Sequence, residues 1–227
     1  MSAMLFDVPT ANPQHPAKYT DALLLTMAQM LTGSRRIVDP FGGTGRCFLL
    51  NAWLPSAQIE AVELEPHVAA INPRTTQGNA LSLPWADGYF DAVCTSPTYG
   101  NRMADHHNAK DASKRRTYRH MFGADLHPDN SGAMQWGDEY RRFHVAAWTE
   151  ARRVLSVGGA FVLNIKDHIR AGERQHVTAW HIDTLTALGF AEVEHKRINT
   201  PSMRYGANSG ARVEYESVIL FRLGVAV

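Results

Sequence analysis

The chain has 227 residues and a mass of 25.2 kDa, the size of a single domain with a sizeable core. Its 44% hydrophobic and 20% charged residues exclude a disordered or fibrous chain. With 23 basic against 22 acidic side chains and a net charge of +1, attraction of a polyanion by the whole surface is excluded, so any nucleic acid must be met by one local patch.

From Arg36 onward short β-branched runs alternate with helical ones, the pattern of an α/β domain with a mostly parallel sheet. RRIVDPF reads as a first strand, Gly45 to Trp53 as a helix and QIEAVEL as a second strand, and a short helix follows with Pro66 in its first turn. A third strand is predicted to end near Gly78-Asn79, a fourth is FDAVCTS, and a helix runs from about Asp138 to Leu155. Gly158-Gly159 is read as the turn into a fifth strand, AFVLNIKDH. Arg174 to Leu188 has helical spacing of Val177, Trp180, Leu185 and Leu188, with Gly189 as its stop. AEVEHKRI and ESVILFRL are the last two apolar runs. Cys47 and Cys94 fall in core-like segments without zinc or redox spacing, which fits a reduced, cytoplasmic compartment. No run approaches the roughly 18 apolar residues of a membrane span, and the N-terminus has no basic-then-apolar leader pattern, so neither is expected.

Two stretches fall outside this rhythm, residues 1 to 34 and an insertion at about 100 to 137 rich in His, Arg, Lys, Asp, Asn and Gly. Long irregular connections of this kind are often functional, and the second follows a strand end directly.

Two segments carry chemistry. Asp39-Pro-Phe-Gly-Gly-Thr-Gly45 links the first predicted strand to a helix. Its glycines let backbone approach a ligand, and a helix start offers unpaired N–H groups to an anionic group. Glu63, eighteen residues beyond Gly45, ends the second strand, where a carboxylate can accept hydrogen bonds from a ribose diol. Asn79 can meet an adenine edge, or simply make a turn with Gly78. Thr95-Ser-Pro-Thr-Tyr-Gly-Asn-Arg102 ends the fourth strand, beside the glycine loop in a doubly wound sheet.

The pair of motifs, in this order, resembles the S-adenosylmethionine-dependent amino-methyltransferases that act on nucleic acid. That family's glycine loop is often Asp-Pro-Phe-x-Gly-x-Gly and its catalytic signature Asp/Asn/Ser-Pro-Pro-Tyr/Phe/Trp. His15-Pro-Ala-Lys-Tyr19 is similar to its additional cofactor motif. The resemblance spans about residues 15 to 170, with one departure: Thr98 stands where the second proline is usual. It implies a single domain over residues 1–227 with the class I methyltransferase (Rossmann-like) fold, seven strands, mostly parallel, the last antiparallel. It further implies S-adenosyl-L-methionine as cofactor, bound by Lys18, Tyr19, Asp39, Phe41, Gly43, Gly45, Glu63 and Asn79. Ser96, Pro97 and Tyr99 become the catalytic residues.

The chemistry has its own logic. An exocyclic amine on a base is a poor nucleophile because its lone pair is conjugated into the ring. If Ser96 Oγ and the Pro97 carbonyl accept the two amine hydrogens, the nitrogen turns toward tetrahedral geometry and its lone pair faces the methyl donor. Such placement contributes about 7 to 11 kcal/mol. Tyr99 offers a face on which an extruded base stacks, worth about 1 to 3 kcal/mol. No strong base is needed, since the methylated nitrogen is acidic enough to release its proton to water.

Within the insertion, Arg102, Lys110, Lys114, Arg115, Arg116 and Arg119 outnumber Asp105 and Asp111. Beside a base-extruding pocket such a patch can neutralise phosphates, with Arg102, Lys114, Arg115, Arg116 and Arg119 as the nucleic-acid contacts and Tyr118 interleaved; otherwise it is a solvated face. The loop from Pro201 to Tyr215, with Arg204, Tyr205 and Arg212, is a candidate for the opposing wall. Asp105, His106, His107, His120 and His127 match no zinc spacing, so no metal is expected. Trp136, Phe143, Trp148 and Trp180 read as core or pocket-rim aromatics, and Asp167-His168 as a loop on the active-site edge. The expected activity is methyl transfer to cytosine N4 or adenine N6 of DNA. The alternatives are a base of RNA, and a non-catalytic cofactor-binding regulatory subunit. DNA is the expected partner, no membrane is, and a homodimer is left open.

Overall fold

The computed structural model describes residues 20–100, 126–200 and 211–224. Its strands are β1 (Arg36–Asp39), β2 (Gln58–Glu63), β3 (Thr75–Gln77), β4 (Phe90–Thr95), β5 (Leu155–Ile165), β6 (His168–Arg170), β7 (Glu173–Gln175), β8 (Phe190–Asn199) and β9 (Tyr215–Leu223). Seven of them form one sheet in the order β3-β2-β1-β4-β5-β9-β8. Only β9 is antiparallel to its neighbours, pairing Ile165 with Ser217 and Ile198 with Glu216. The chain leaves β1 toward β2 and β3 and then crosses back to place β4 on the other side of β1. The ends of β1 and β4 are therefore the switch point at which doubly wound sheets bind ligands.

The helices are α1 (Asp21–Met30), the short α2 (Pro66–Ala69) after β2, α3 (Asp138–Val154) and α4 (Val177–Ala187). Alternation along the strands sorts the core into two layers. Val38, Val93, Phe161, Leu163, Ile165, Ile219 and Phe221 face one way, against Ala147, Trp148, Ala151 and Val154 of α3 and Val177 and Leu185 of α4. Ile37, Ala61, Ala92, Cys94, Val162 and Val218 face the other way, against α1 and a 3-10 helix, Arg46–Ala52. Strands covered on both faces read as continuous apolar runs, as FDAVCT and AFVLNI do.

Several elements depart from the sequence expectation. Residues 1 to 34 contain α1, whose N-terminus is capped by the Thr20 hydroxyl accepting from the Leu23 amide at 3.3 Å. The helix inferred after the glycine loop is a 3-10 helix. The fifth strand begins at Leu155, ahead of the expected Ala160: Phe90 pairs with Leu155 and Ala92 with Ala160, so Gly158-Gly159 sits in a bulge within β5. Beyond β5, β6 and β7 form a two-stranded ribbon ahead of α4, so the helix expected from Arg174 begins at Val177 instead, Arg174 and Gln175 being strand.

Arg153 on α3 pins the connection between β3 and β4. Its guanidinium donates to the carbonyls of Leu83 and Trp85 and to Asp87 and Glu150 at 2.7–3.0 Å. Glu150 also accepts from the Leu83 amide, and the Arg153 contact holds its carboxyl below the usual glutamate range.

Candidate active site

At the end of β1, Asp39 is buried, and its Oδ1 accepts from the Thr95 hydroxyl at 2.7 Å and from the Phe41 amide at 3.0 Å. One carboxylate thus ties the glycine loop to the last residue of β4, directly before the Ser96-Pro-Thr-Tyr99 turn. Gly42 lies against β2, its amide donating to the Val62 carbonyl at 2.8 Å; a Cβ there would stand 2.8 Å from that of Ala61. The adjacent Gly43 amide donates to Glu63 Oε2, and the Glu65 amide to Glu63 Oε1, each at 2.9 Å. Burial pushes the Glu63 carboxyl up, and these two N–H groups partly offset it. Asp39, Phe41, Gly43, Gly45 and Glu63 are therefore tied together by hydrogen bonds around the glycine loop at the switch point, with Asp39 and Gly45 buried beneath it. The fit to a ribose-bearing ligand is good: a half-buried carboxylate with unused lone pairs lies beside a cradle that tolerates no side chain.

Asn79 is placed differently from the rest. Its Oδ1 accepts from the Leu81 amide at 2.9 Å, an Asx turn, so this oxygen serves the backbone. Lys18 and Tyr19 lie outside the described residues.

The Ser96–Tyr99 turn is held from several directions. Thr98 Oγ1 is 2.8 Å from the Ser131 hydroxyl, and its carbonyl accepts from the Tyr140 hydroxyl at 2.7 Å. Gly100 has φ +65°, its carbonyl accepts from the Trp136 amide at 2.9 Å, and a Cβ would meet that nitrogen at 2.9 Å. Glycine is required there on both counts. Hydrogen bonds through its hydroxyl and its carbonyl thus fix Thr98 in place.

Behind Thr98 lies a buried chain whose proton order is fixed by chemistry. Trp148 Nε1, which can only donate, is 2.9 Å from His181 Nδ1. Burial, with His144 adding, keeps His181 neutral, so its proton is on Nε2, 3.0 Å from Tyr140 Oη. The Tyr140 hydroxyl donates its own hydrogen bond to the Thr98 carbonyl. His144 donates Nδ1–H to the Tyr140 carbonyl, stacks on Phe41 at 5.8 Å and is held by burial at a pKa of about 3. Trp136, Phe143, Trp148 and Trp180 surround these rings. They support the site rather than line an open surface.

In front of Thr98 is a polar cluster that the sequence pattern does not announce. Asn164 on β5 and Glu216 on β9 meet Ser96 and Tyr99. The Tyr99 hydroxyl donates to Glu216 Oε2 at 3.0 Å and lies 3.1 Å from Ser96 Oγ. Asn164 Nδ2 is 2.8 Å from Glu216 Oε2, 3.1 Å from Tyr99 Oη and 3.2 Å from Ser96 Oγ. Burial, and then the Glu216 charge, push the Tyr99 phenol well above its ordinary range. Asn164 Oδ1 is buried without a protein partner among the described residues. The one signal for Asn164 in the sequence is a lone amide inside the apolar run FVLNI.

The last part of the insertion packs against the same edge. Glu65 Oε1 accepts from the His127 amide and from Asn130 Nδ2, both at 2.8 Å, while Ser131 and Trp136 bind the Ser96–Gly100 turn. Residues 126–136 thus bridge the ends of β2 and β4. Arg102, Lys114, Arg115, Arg116 and Arg119 lie outside the described residues, as do Lys110, Tyr118, Asp105, His106, His107, His120, Arg204 and Tyr205. Among the described residues no group of three or more metal-ligating side chains comes together. Tyr215 is flanked by Arg174 and Arg197, whose guanidiniums lie 5.7 and 5.0 Å from its ring centre. Asp167 accepts from Arg174 Nε and from the Thr178 amide at the start of α4, a structural role. Cys47 and Cys94 are free and buried, and burial pushes both thiols well up, away from nucleophilic chemistry. No helix of the described residues is long and apolar enough to cross a membrane.

No family model matches the sequence, and no curated protein is similar to it in sequence. Similar folds are found among solved structures. An S-adenosylmethionine-dependent methyltransferase from Methanosarcina mazei superposes with a TM-score of 0.56 at 12% identity, over 88% of this chain and 98% of the other. Geranyl diphosphate methyltransferase with bound S-adenosylmethionine gives 0.56 at 12% identity, over 89% and 84%. The cyclase SpnF gives 0.56 at 15% identity, over 92% and 85%. At such identities likeness reports architecture, and a cyclase among the neighbours shows that architecture does not fix the reaction. Together with the strand order and the reversed β9, these likenesses establish that the chain has the class I methyltransferase fold.

Proposed function

We propose that this protein transfers a methyl group from S-adenosylmethionine to an exocyclic amino nitrogen of a nucleic-acid base, cytosine N4 or adenine N6 of DNA. The observation that carries the proposal is the adjacency of the two motifs: the Asp39–Thr95 hydrogen bond of 2.7 Å joins the glycine loop to the Ser96-Pro-Thr-Tyr99 turn at the switch point. Bound along Phe41 to Gly45 and Glu63, S-adenosylmethionine supplies an electrophilic methyl group on a sulfonium sulfur. Glu63 accepts from the ribose hydroxyls, and the Gly42-Gly43 backbone allows close approach. Ser96 Oγ and the Pro97 carbonyl accept the amine hydrogens, and the Tyr99 ring supports the base. With its hydrogens held by Ser96 and Pro97, the amine nitrogen would accept the methyl group, the sulfonium would leave as a neutral thioether, and one amine proton would pass to water. Holding the partners in this arrangement lowers the barrier chiefly by placement.

The test is radiolabelled methyl transfer to DNA and to RNA, followed by identification of the modified nucleoside, with Ser96→Ala as the inactive control. Label in N4-methylcytosine or N6-methyladenine of DNA is the expected result. Label confined to RNA selects an RNA base methyltransferase. Cofactor binding without transfer to either selects a regulatory subunit.

A further inference from the structure

A serine at the first position of the catalytic turn is chemically ambiguous. A carboxylate there could only accept, whereas a hydroxyl has one proton and two lone pairs and can face an incoming amine with either. Should the proton point into the pocket, it would compete with the amine hydrogens, and the lone pair of the target nitrogen would be drawn the wrong way.

The cluster around Ser96 removes the ambiguity. Glu216 Oε2 accepts a hydrogen bond from the Tyr99 hydroxyl at 3.0 Å, which engages the hydroxyl's one proton. That proton is then spent, so across the 3.1 Å contact between Ser96 and Tyr99 serine is the donor. Asn164 Nδ2 is surrounded by Glu216, Tyr99 and Ser96 oxygens at 2.8–3.2 Å. Three oxygens around one atom require it to be the amide nitrogen, since the flipped amide would set oxygen against a carboxylate. Asn164 therefore engages Glu216 and the hydroxyls as a donor. The proton of Ser96 points to Tyr99, away from the base, and an Oγ lone pair remains for one amine hydrogen.

We propose that Glu216 is a positioning residue which, through the Tyr99 hydroxyl and with Asn164, fixes Ser96 as a hydrogen-bond acceptor for the target amine. This rests on the base-methylation reading above. It assigns the Tyr99 hydroxyl a function separate from ring stacking, and brings into the site a strand, β9, that carries none of the sequence motifs. The placement follows from the fold: β9 is the reversed strand, so its first residues lie on the edge where β4 and β5 end.

The experiment is a double-variant cycle on the full chain, with Tyr99→Phe, Glu216→Ala and both together, reading kcat, KM for nucleic acid, cofactor Kd and Tm. Phenylalanine keeps the stacking ring and removes only the hydroxyl. Each single variant should lower kcat by about 10- to 100-fold, the scale of losing an outer partner that orients a reacting group, with cofactor Kd unchanged. The double variant should be no worse than about threefold below either single one, because both break the same chain. Wild-type kcat in Tyr99→Phe, or losses that multiply in the double variant, would overturn the assignment while leaving base methylation standing. If Glu216→Ala does not fold, Tyr99→Phe alone decides the matter by the same criterion, and Glu216→Gln, which keeps an acceptor, should retain kcat within about threefold. Wild-type protein that methylates neither DNA nor RNA overturns both the base-methylation reading and the role of Glu216.

Discussion

The Tyr140 hydroxyl donates to the Thr98 carbonyl at 2.7 Å and itself lies 3.0 Å from His181 Nε2. The Thr98 carbonyl is thereby held from the protein interior. Tyr140→Phe strands a buried carbonyl and a buried imidazole N–H. Its expected cost is about 1–3 kcal/mol of stability, read by urea unfolding, with a further loss of turnover in molecules that remain folded. Wild-type turnover in the folded variant would show that the Thr98 carbonyl needs no anchor.

Glu63 yields a pH prediction for cofactor binding. Burial raises its folded pKa, so its proton binds at a higher pH than on an ordinary glutamate, near 4.3. The ionised form is the one that accepts from ribose hydroxyls. Affinity for S-adenosylmethionine should therefore fall as pH drops through the raised value and recover above it. Calorimetry should show this limb in the wild type and its absence in Glu63→Gln, which should also bind more weakly at neutral pH.

His144 sets an acid limit on stability. It is buried with a pKa of about 3 in the folded chain, against about 6.5 when unfolded. Between those values the unfolded chain binds the extra proton, so stability is lost as pH falls through that window. The maximal slope from this one group is about 1.4 kcal/mol per pH unit. His144→Phe keeps a ring against Phe41 and should flatten the dependence of urea unfolding on pH between about 6 and 4. An unchanged slope would assign the acid limit elsewhere.

The proposed nucleic-acid contact is the basic patch that begins at Arg102. Replacing Lys114, Arg115 and Arg116 with alanine should reduce the slope of log affinity against log salt by about 0.9 for each phosphate that is no longer neutralised on duplex DNA. Base extrusion costs a few kcal/mol in a duplex and less in a single strand. Single-stranded or distorted sites should accordingly be methylated at least as well as intact duplex, measured with matched oligonucleotides. A strict requirement for a long paired site would count against this patch as the main point of attachment.

What the sequence discloses and what it conceals have separate physical causes. The central strands are apolar on both faces and the two motifs sit at strand ends, so β1, β2, β4 and the glycine loop are visible as patterns. α1 is hidden because Leu23, Leu24 and Leu25 run together without a clear polar face, and its cap is a single threonine. The bulge in β5 reads as a turn because glycine pairs serve both. Glu216 and Asn164 carry no mark of site residues: 52 positions separate them, and only the reversal of β9 brings them together. Glu65, buried beneath the His127 amide and Asn130, precedes Pro66 in sequence with nothing to mark it as a partner of residues more than 60 positions away.

The clasp made by residues 126–136 bears on how the chain can diversify. Gly100 is bonded to Trp136, and His127 and Asn130 to Glu65, so both ends of the 101–125 stretch are fastened to the scaffold by bonds that do not involve its own side chains. Substitutions confined to residues 101–125 therefore leave the bonds that hold Gly100, His127, Asn130 and Trp136 with all of their partner atoms.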